Sequence, residues 1–144
     1  MPSDDGSRRA VNSDCLQENR AALSVVEAAV PASIPTLRHR AREFAAAHGG
    51  QQLVADVALA VSEAVTNVVK YAYEAGVEGS IELAGCAEKG WLDIWVRDRG
   101  TGFGRGSEDG LGLGLTIIAR LCDDMKIVQE GSGTEVQMRF GLSG

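Results

Sequence analysis

The order of elements in this 144-residue chain predicts a two-layer α+β sandwich rather than a doubly wound parallel sheet. Three observations lead there. One long stretch, 51–75, is apolar at helical spacing. The strand-like segments after it come in pairs joined by short polar turns. Helices and hairpins are segregated along the chain instead of alternating. With 44% apolar residues, the chain is long enough for one domain with a substantial core and too short for two.

Residues 1–20, dominated by Ser, Asp, Arg, Asn and Gln, read as a disordered tail, which leaves 21–144 as the single domain. SVVEAAV, 24–30, reads as the first strand. Pro31, Ser33 and Pro35 mark a helix start with Ser33 as its N-cap, and the helix is expected from Ile34 to His48, ended by Gly49 and Gly50. Ile34, Leu37, Ala41 and Phe44 recur on its core face, with Arg38 and Arg42 one turn apart beside them.

The central helix follows over 51–75. Val54, Ala58, Val61, Val65, Val69 and Ala72 share one face, while Asp56, Glu63, Asn67, Lys70 and Glu74 gather on the other. A polar stripe on an otherwise apolar helix must face water, pair internally or address a ligand. Gly76 and Gly79 close this helix. SIELAGC and WLDIWV then form two strands around a turn at Glu88, Lys89 and Gly90.

Seven of the 15 residues from Gly100 to Gly114 are glycine, a density read as a loop, with a helix expected from Leu111 to Asp123. MKIVQE and TEVQMRF complete the sheet around Gly131, Ser132 and Gly133. Strand parity adds a relation between elements. Leu92, Ile94 and Val96 share a face with Asp98 at the strand's end, and Val136, Met138 and Phe140 share one with Thr134 at the strand's start. Antiparallel neighbours would bring Asp98 and Thr134 together at the rim of the apolar layer. The donor to that carboxylate is either a backbone N–H in the turn or a ligand.

Composition limits the functions. Acidic residues outnumber basic ones 20 to 14, for a net charge of −6, which disfavours nucleic acid or an anionic membrane as a partner through a diffuse basic field. Cys15, Cys86 and Cys122 lack the spacing of a zinc or redox site and read as ordinary thiols. The polar start has no signal-peptide core and no uninterrupted 18-residue apolar run occurs, so a soluble cytoplasmic protein is expected. The glycine loop matches neither G-x-x-x-x-G-K-[ST] nor G-x-G-x-x-G before a helix. Its backbone N–H groups and the following helix N-terminus could still receive an anion.

Taken together, SEAVTNVVKYAY, DRGTGF, GLGLGL and GTEV resemble the N box, glycine boxes and terminal Gly-Thr of GHKL (Bergerat) ATP-binding domains, over about 25–142. S-E-A-V-T-N is most similar to the bacterial anti-sigma factor serine/threonine kinases. The resemblance implies a mixed, mostly antiparallel sheet covered on one face by three helices, and a kinase that binds ATP and Mg2+. It further implies sequestration of a sigma factor and phosphorylation of a STAS-type antagonist. Asn67 would ligate magnesium and Glu63 would be the general base. Asp98, supported by Thr134, would accept from the adenine amino group beside Gly100 and Gly102. Gly110, Gly112 and Gly114 would approach the phosphates, with Arg105 in a lid shorter than is common in the family. Arg38 and Arg42 correspond to partner-binding positions. Trp91 and Trp95, on the strand face away from the core, suggest an exposed indole pair and a homodimer. The alternative is a nucleotide-binding interaction module of the same fold without catalysis.

Overall fold

The structure, a computed structural model, describes residues 22–74, 76–100, 108–130 and 133–142. The elements run β1 (Ala22–Ala28), α1 (Ser33–Ala46), α2 (Gln51–Asn67) with a π-helical turn (Val68–Ala72), β2 (Ser80–Glu88), β3 (Trp91–Asp98), α3 (Glu108–Leu121), β4 (Asp124–Glu130) and β5 (Gly133–Gly141). The strands form one sheet in the order β1-β2-β3-β5-β4, and every pair is antiparallel. The three helices share one face of it. The expected two-layer sandwich is therefore present. Residues 1–20, expected as a tail, lie outside the described residues.

α2 is the centre of the helical layer, flanked by α1 and α3. Val57, Ala60, Val61, Ala64 and Val65 are buried, so the helix hides more of its circumference than the single face read from the sequence. They meet Ile81, Leu83, Leu92, Ile94, Val96 and Met138 of the sheet in one continuous core. Each fully buried aliphatic side chain contributes about 1.5–3 kcal/mol. Residues 51–72 are long and apolar enough to cross a membrane by length and composition; here that apolar surface is the domain core.

The helix α1 begins one residue earlier than expected, and Ser33 is not its cap. Ala32 holds the cap position without a side-chain bond, and Ser33 is buried as the first helical residue. A backbone turn takes over the role, with Ser33 N–H donating to Val30 O (2.9 Å) and Ile34 N–H to Pro31 O (3.1 Å). The β2–β3 hairpin closes through Lys89 (φ 55°) and Gly90 (φ 88°), a two-residue turn with both centres left-handed.

One expectation is corrected on the outer sheet face. Trp95 is only 1% exposed while Trp91 is 37% exposed. Arg97, whose guanidinium lies 5.8 Å from the Trp95 ring centroid, is held across it by Glu82 and Glu135. The exposed indole pair that suggested a homodimer is thus absent, because parity fixes a residue's face but not what covers it. Cys86 is also buried on this face. Cys122 is free, its thiol pKa pushed up by burial. Cys15 lies outside the described residues.

Candidate functional site

The register pairs Asp98 with Thr134, as strand parity required, and both are 5% exposed at the sheet's rim. Asp98 ends β3, and its Oδ1 accepts the Gly100 N–H at 2.8 Å. Burial pushes the Asp98 carboxyl above its usual range, while backbone N–H donation from Gly100 and Thr134 pulls it back down. The two readings of its donor are therefore not exclusive. Backbone N–H groups orient the carboxylate and leave it further acceptor capacity.

Glu63 and Asn67 lie one turn apart near the C-terminal end of α2. Asn67 is 5% exposed, and its Nδ2 is buried without a partner. Glu63 is half-buried. Both side chains converge on Gly114 of α3. A Cβ at Gly114 would stand 3.2 Å from Asn67 Nδ2 and 3.2 Å from Glu63 Oε1, so glycine lets the α3 backbone come up against both polar groups. A buried N–H2 donor left without an acceptor is costly, about 1–3 kcal/mol, and Nδ2 of Asn67 finds none among the described residues.

Beyond Asn67 the helix widens into the π turn, a form frequent at functional sites. This turn brings Ala72 against the end of β3. A Cβ on Gly100 would fall 1.9 Å from the Ala72 carbonyl oxygen, so no side chain fits there. The hydroxyl of Tyr73 accepts the Arg99 N–H at 2.9 Å. The segment carrying Asn67 and the turn carrying Asp98 are thereby joined through the Ala72 carbonyl and the Tyr73 hydroxyl. Sequence reasoning assigned Tyr73 nothing, since its partners are backbone groups distant in the chain; the only local signal was an aromatic residue followed by Gly76 and Gly79.

The helix α3 starts at Glu108, which corrects the sequence reading. The start expected at Leu111 moves three residues earlier, so Gly110 also lies inside the helix, and the N–H groups of Gly112 and Gly114 belong to the helical ladder. Packing explains this. Gly114, Leu115, Ile118 and Leu121 lie at helical spacing, and Ile118 is buried in the core while Gly114 abuts α2. Tertiary contact outweighs the roughly 1 kcal/mol that each glycine costs a helix. Gly102, Arg105 and the short lid up to 107 lie outside the described residues.

A cavity of about 470 Å³ opens at the strand-end rim, lined by Asp98, Thr134, Arg97, Arg99, Val128 and Gln137 among others. It includes the Asp98–Thr134 pair but not Glu63 or Asn67. A second, of about 440 Å³, lies between α1 and α2 and is lined by Arg42, Gly50 and Val54 among others. Arg42 is exposed and Arg38 half-buried, so they stand on the helical surface away from the rim. Among the described residues, no group of three His, Cys, Asp or Glu side chains could by itself hold a metal ion.

Comparison with known proteins agrees with this geometry. Residues 27–140 match the model of the histidine kinase-like ATPase domain family. The chain is 26% identical over 118 residues to the anti-sigma F factor of Bacillus cereus, an alignment covering 73% of this chain and 81% of that protein. It is 30% identical over 105 residues to the serine-protein kinase RsbW of Listeria monocytogenes, covering 62% of this chain and 67% of that protein. Among solved structures it resembles the RsbU and RsbW domains of Rv1364c from Mycobacterium tuberculosis, with TM-score 0.69 and 26% identity over 84% of this chain. The chain spans 32% of the length of that protein. The Acinetobacter baumannii histidine kinase AdeS, at 13% identity and TM-score 0.50, shares the fold alone. With four-fifths of its length matched and the Glu63–Asn67 and Asp98–Thr134 pairs at the two ends of the α2–β3 junction, this chain belongs to the histidine kinase-like ATPase domain family and is homologous to the RsbW-type anti-sigma factor kinases.

Proposed function

We propose that the protein is a cytoplasmic anti-sigma factor kinase that binds ATP with magnesium, sequesters a sigma factor, and phosphorylates a serine or threonine on a STAS-type antagonist. One observation carries the reading: Asn67, whose buried Nδ2 donor has no partner among the described residues and so calls for an acceptor such as a phosphate oxygen, with Oδ1 the atom that can serve a cation, beside Glu63 and under the side-chain-free Gly114. The names of the relatives, anti-sigma F factor and serine-protein kinase, support the partner and reaction classes.

The residues suit magnesium that arrives with its nucleotide. One hard amide ligand, with no acidic cluster among the described residues, matches an ion held mainly by phosphate and water. When bound, magnesium neutralises phosphate charge. Asn67 would hold it, and Gly114 keeps the space beside Asn67 open. Asp98 would accept from the adenine amino group, oriented by the Gly100 and Thr134 N–H groups. Glu63 would take the proton of the substrate hydroxyl as that oxygen bonds to the γ-phosphorus. The bond from γ-phosphorus to the bridging oxygen breaks, and ADP leaves with its electron pair. Arg38 and Arg42 are assigned to the partner surface. Gly102 and Arg105 belong to the same proposed nucleotide site.

Calorimetry with ATP, with and without magnesium, tests the reading on wild type, Asn67→Ala and Glu63→Gln, followed by phosphotransfer to a STAS protein. Magnesium-dependent binding lost in Asn67→Ala, with Glu63→Gln binding ATP but transferring at least 100-fold more slowly, is the expected result. Wild type that binds ATP and a partner yet transfers no phosphoryl would instead make the protein a non-catalytic interaction module.

A further inference from the structure

We propose that Tyr73 is a positioning residue for base recognition, which fixes the Asp98–Gly100 turn and so sets the selectivity for adenine; this rests on the ATP-binding reading above. Its hydroxyl has one proton and two lone pairs, and all three are used. It donates to Ser80 O at 2.8 Å and accepts the Ser80 N–H at 3.3 Å and the Arg99 N–H at 2.9 Å. One side chain thus ties together the exit of α2, the entry of β2 and the turn that follows β3.

The ring is held as firmly as its hydroxyl. A Cβ on Gly79 would lie 2.3 Å from ring carbons of Tyr73, so the ring lies directly against the Gly79 backbone. The residue before it, Ala72, has its carbonyl against Gly100. Arg99 sits between the acceptor Asp98 and Gly100, the residue that donates to it. Holding the Arg99 N–H therefore restricts the rotation by which the Asp98 carboxylate would leave its orientation. An exocyclic amine requires a well-placed acceptor, whereas the carbonyl that guanine carries at the same ring position is repelled by one. Loosening the turn should cost more for ATP than for GTP.

Tyr73→Phe keeps the ring on Gly79 and removes only the hydroxyl. The bonds it loses lie at exposed positions, so water can satisfy the freed backbone groups and the variant folds. Amide exchange of the nucleotide-free protein is expected to be at least tenfold faster at Arg99 and Gly100, with the middle of β3 unchanged. ATP affinity is expected to fall about tenfold, the ATP-over-GTP preference to shrink, and turnover at saturating ATP to stay at the wild-type value. Unchanged exchange at Arg99 overturns the clamp. An unchanged ATP Kd and base preference, in a variant whose wild type binds ATP, overturns the positioning role alone. Wild type that binds no ATP overturns the nucleotide reading and the role of Tyr73 with it.

Discussion

Asp93 and Arg139 illustrate how much a single buried charge can demand. On the outer sheet face, Arg139 Nε and Nη2 donate to the two carboxylate oxygens of Asp93 at 2.8 and 3.1 Å, and its guanidinium lies 4.7 Å from the Trp91 ring centroid. Desolvation raises the Asp93 pKa, and Arg139 opposes that shift. A raised folded-state value means that the folded chain holds its proton to higher pH than the unfolded one. The Asp93 contribution to stability therefore falls as pH rises from the ordinary aspartate range through the raised value. Arg139→Met removes the opposing charge, raises that value further and leaves a buried carboxylate unpaired. It should lose about 3 kcal/mol at neutral pH, with the deficit shrinking as pH is lowered. Urea unfolding across a pH series checks this; a deficit constant with pH would assign the effect to lost packing on Trp91. The sequence placed Asp93 on the outer face by parity, but nothing in a linear pattern names the arginine that answers it on β5.

At the scale of elements, the hairpin turn carries the clearest strain. Lys89 occupies a left-handed conformation that costs an L-residue roughly 1–2 kcal/mol and that asparagine tolerates better. Lys89→Asn should stabilise the fold by about 0.5–1 kcal/mol, read from the midpoint of chemical unfolding, and an unchanged or lower midpoint would count against it. The turn was legible because its signal is local. The start of α3 was not. Glycine density argued for a loop up to Gly110 and a helix from Leu111, whereas the helix starts at Glu108 and is seated through Gly114 against Glu63 and Asn67, a contact between elements far apart in the chain. The π turn was hidden likewise, since its residues read as ordinary helix and its reason is the approach of Ala72 to Gly100.

For the whole molecule, the three helices on one face were what the family resemblance implied, while the segregation of helical periods from hairpins sufficed for a two-layer sandwich, and strand parity between antiparallel neighbours for bringing Asp98 to Thr134. Both are rules of backbone geometry that hold before any packing is known. A nucleotide that binds only the folded state must raise its stability, by about 2.7 kcal/mol at a hundredfold excess over Kd. For a domain of this size that is a rise of roughly 10 °C in Tm with ATP and magnesium, absent in Asp98→Asn. Calorimetric scans decide it, and no rise in the wild type would remove ATP as the ligand.

The strand order has a kinetic corollary. β2–β3 and β4–β5 are hairpins between neighbouring segments, but β3–β5 joins stretches separated by all of α3 and β4. Such closure is slow, because chain entropy is lost before contacts repay it. The proposed base-recognition pair straddles that seam, so on that reading a nascent chain lacking β5 would hold a native-like hairpin and still be blind to nucleotide. Competence to bind would then arrive in a single late step, with the sheet's completion serving as its own proofreading.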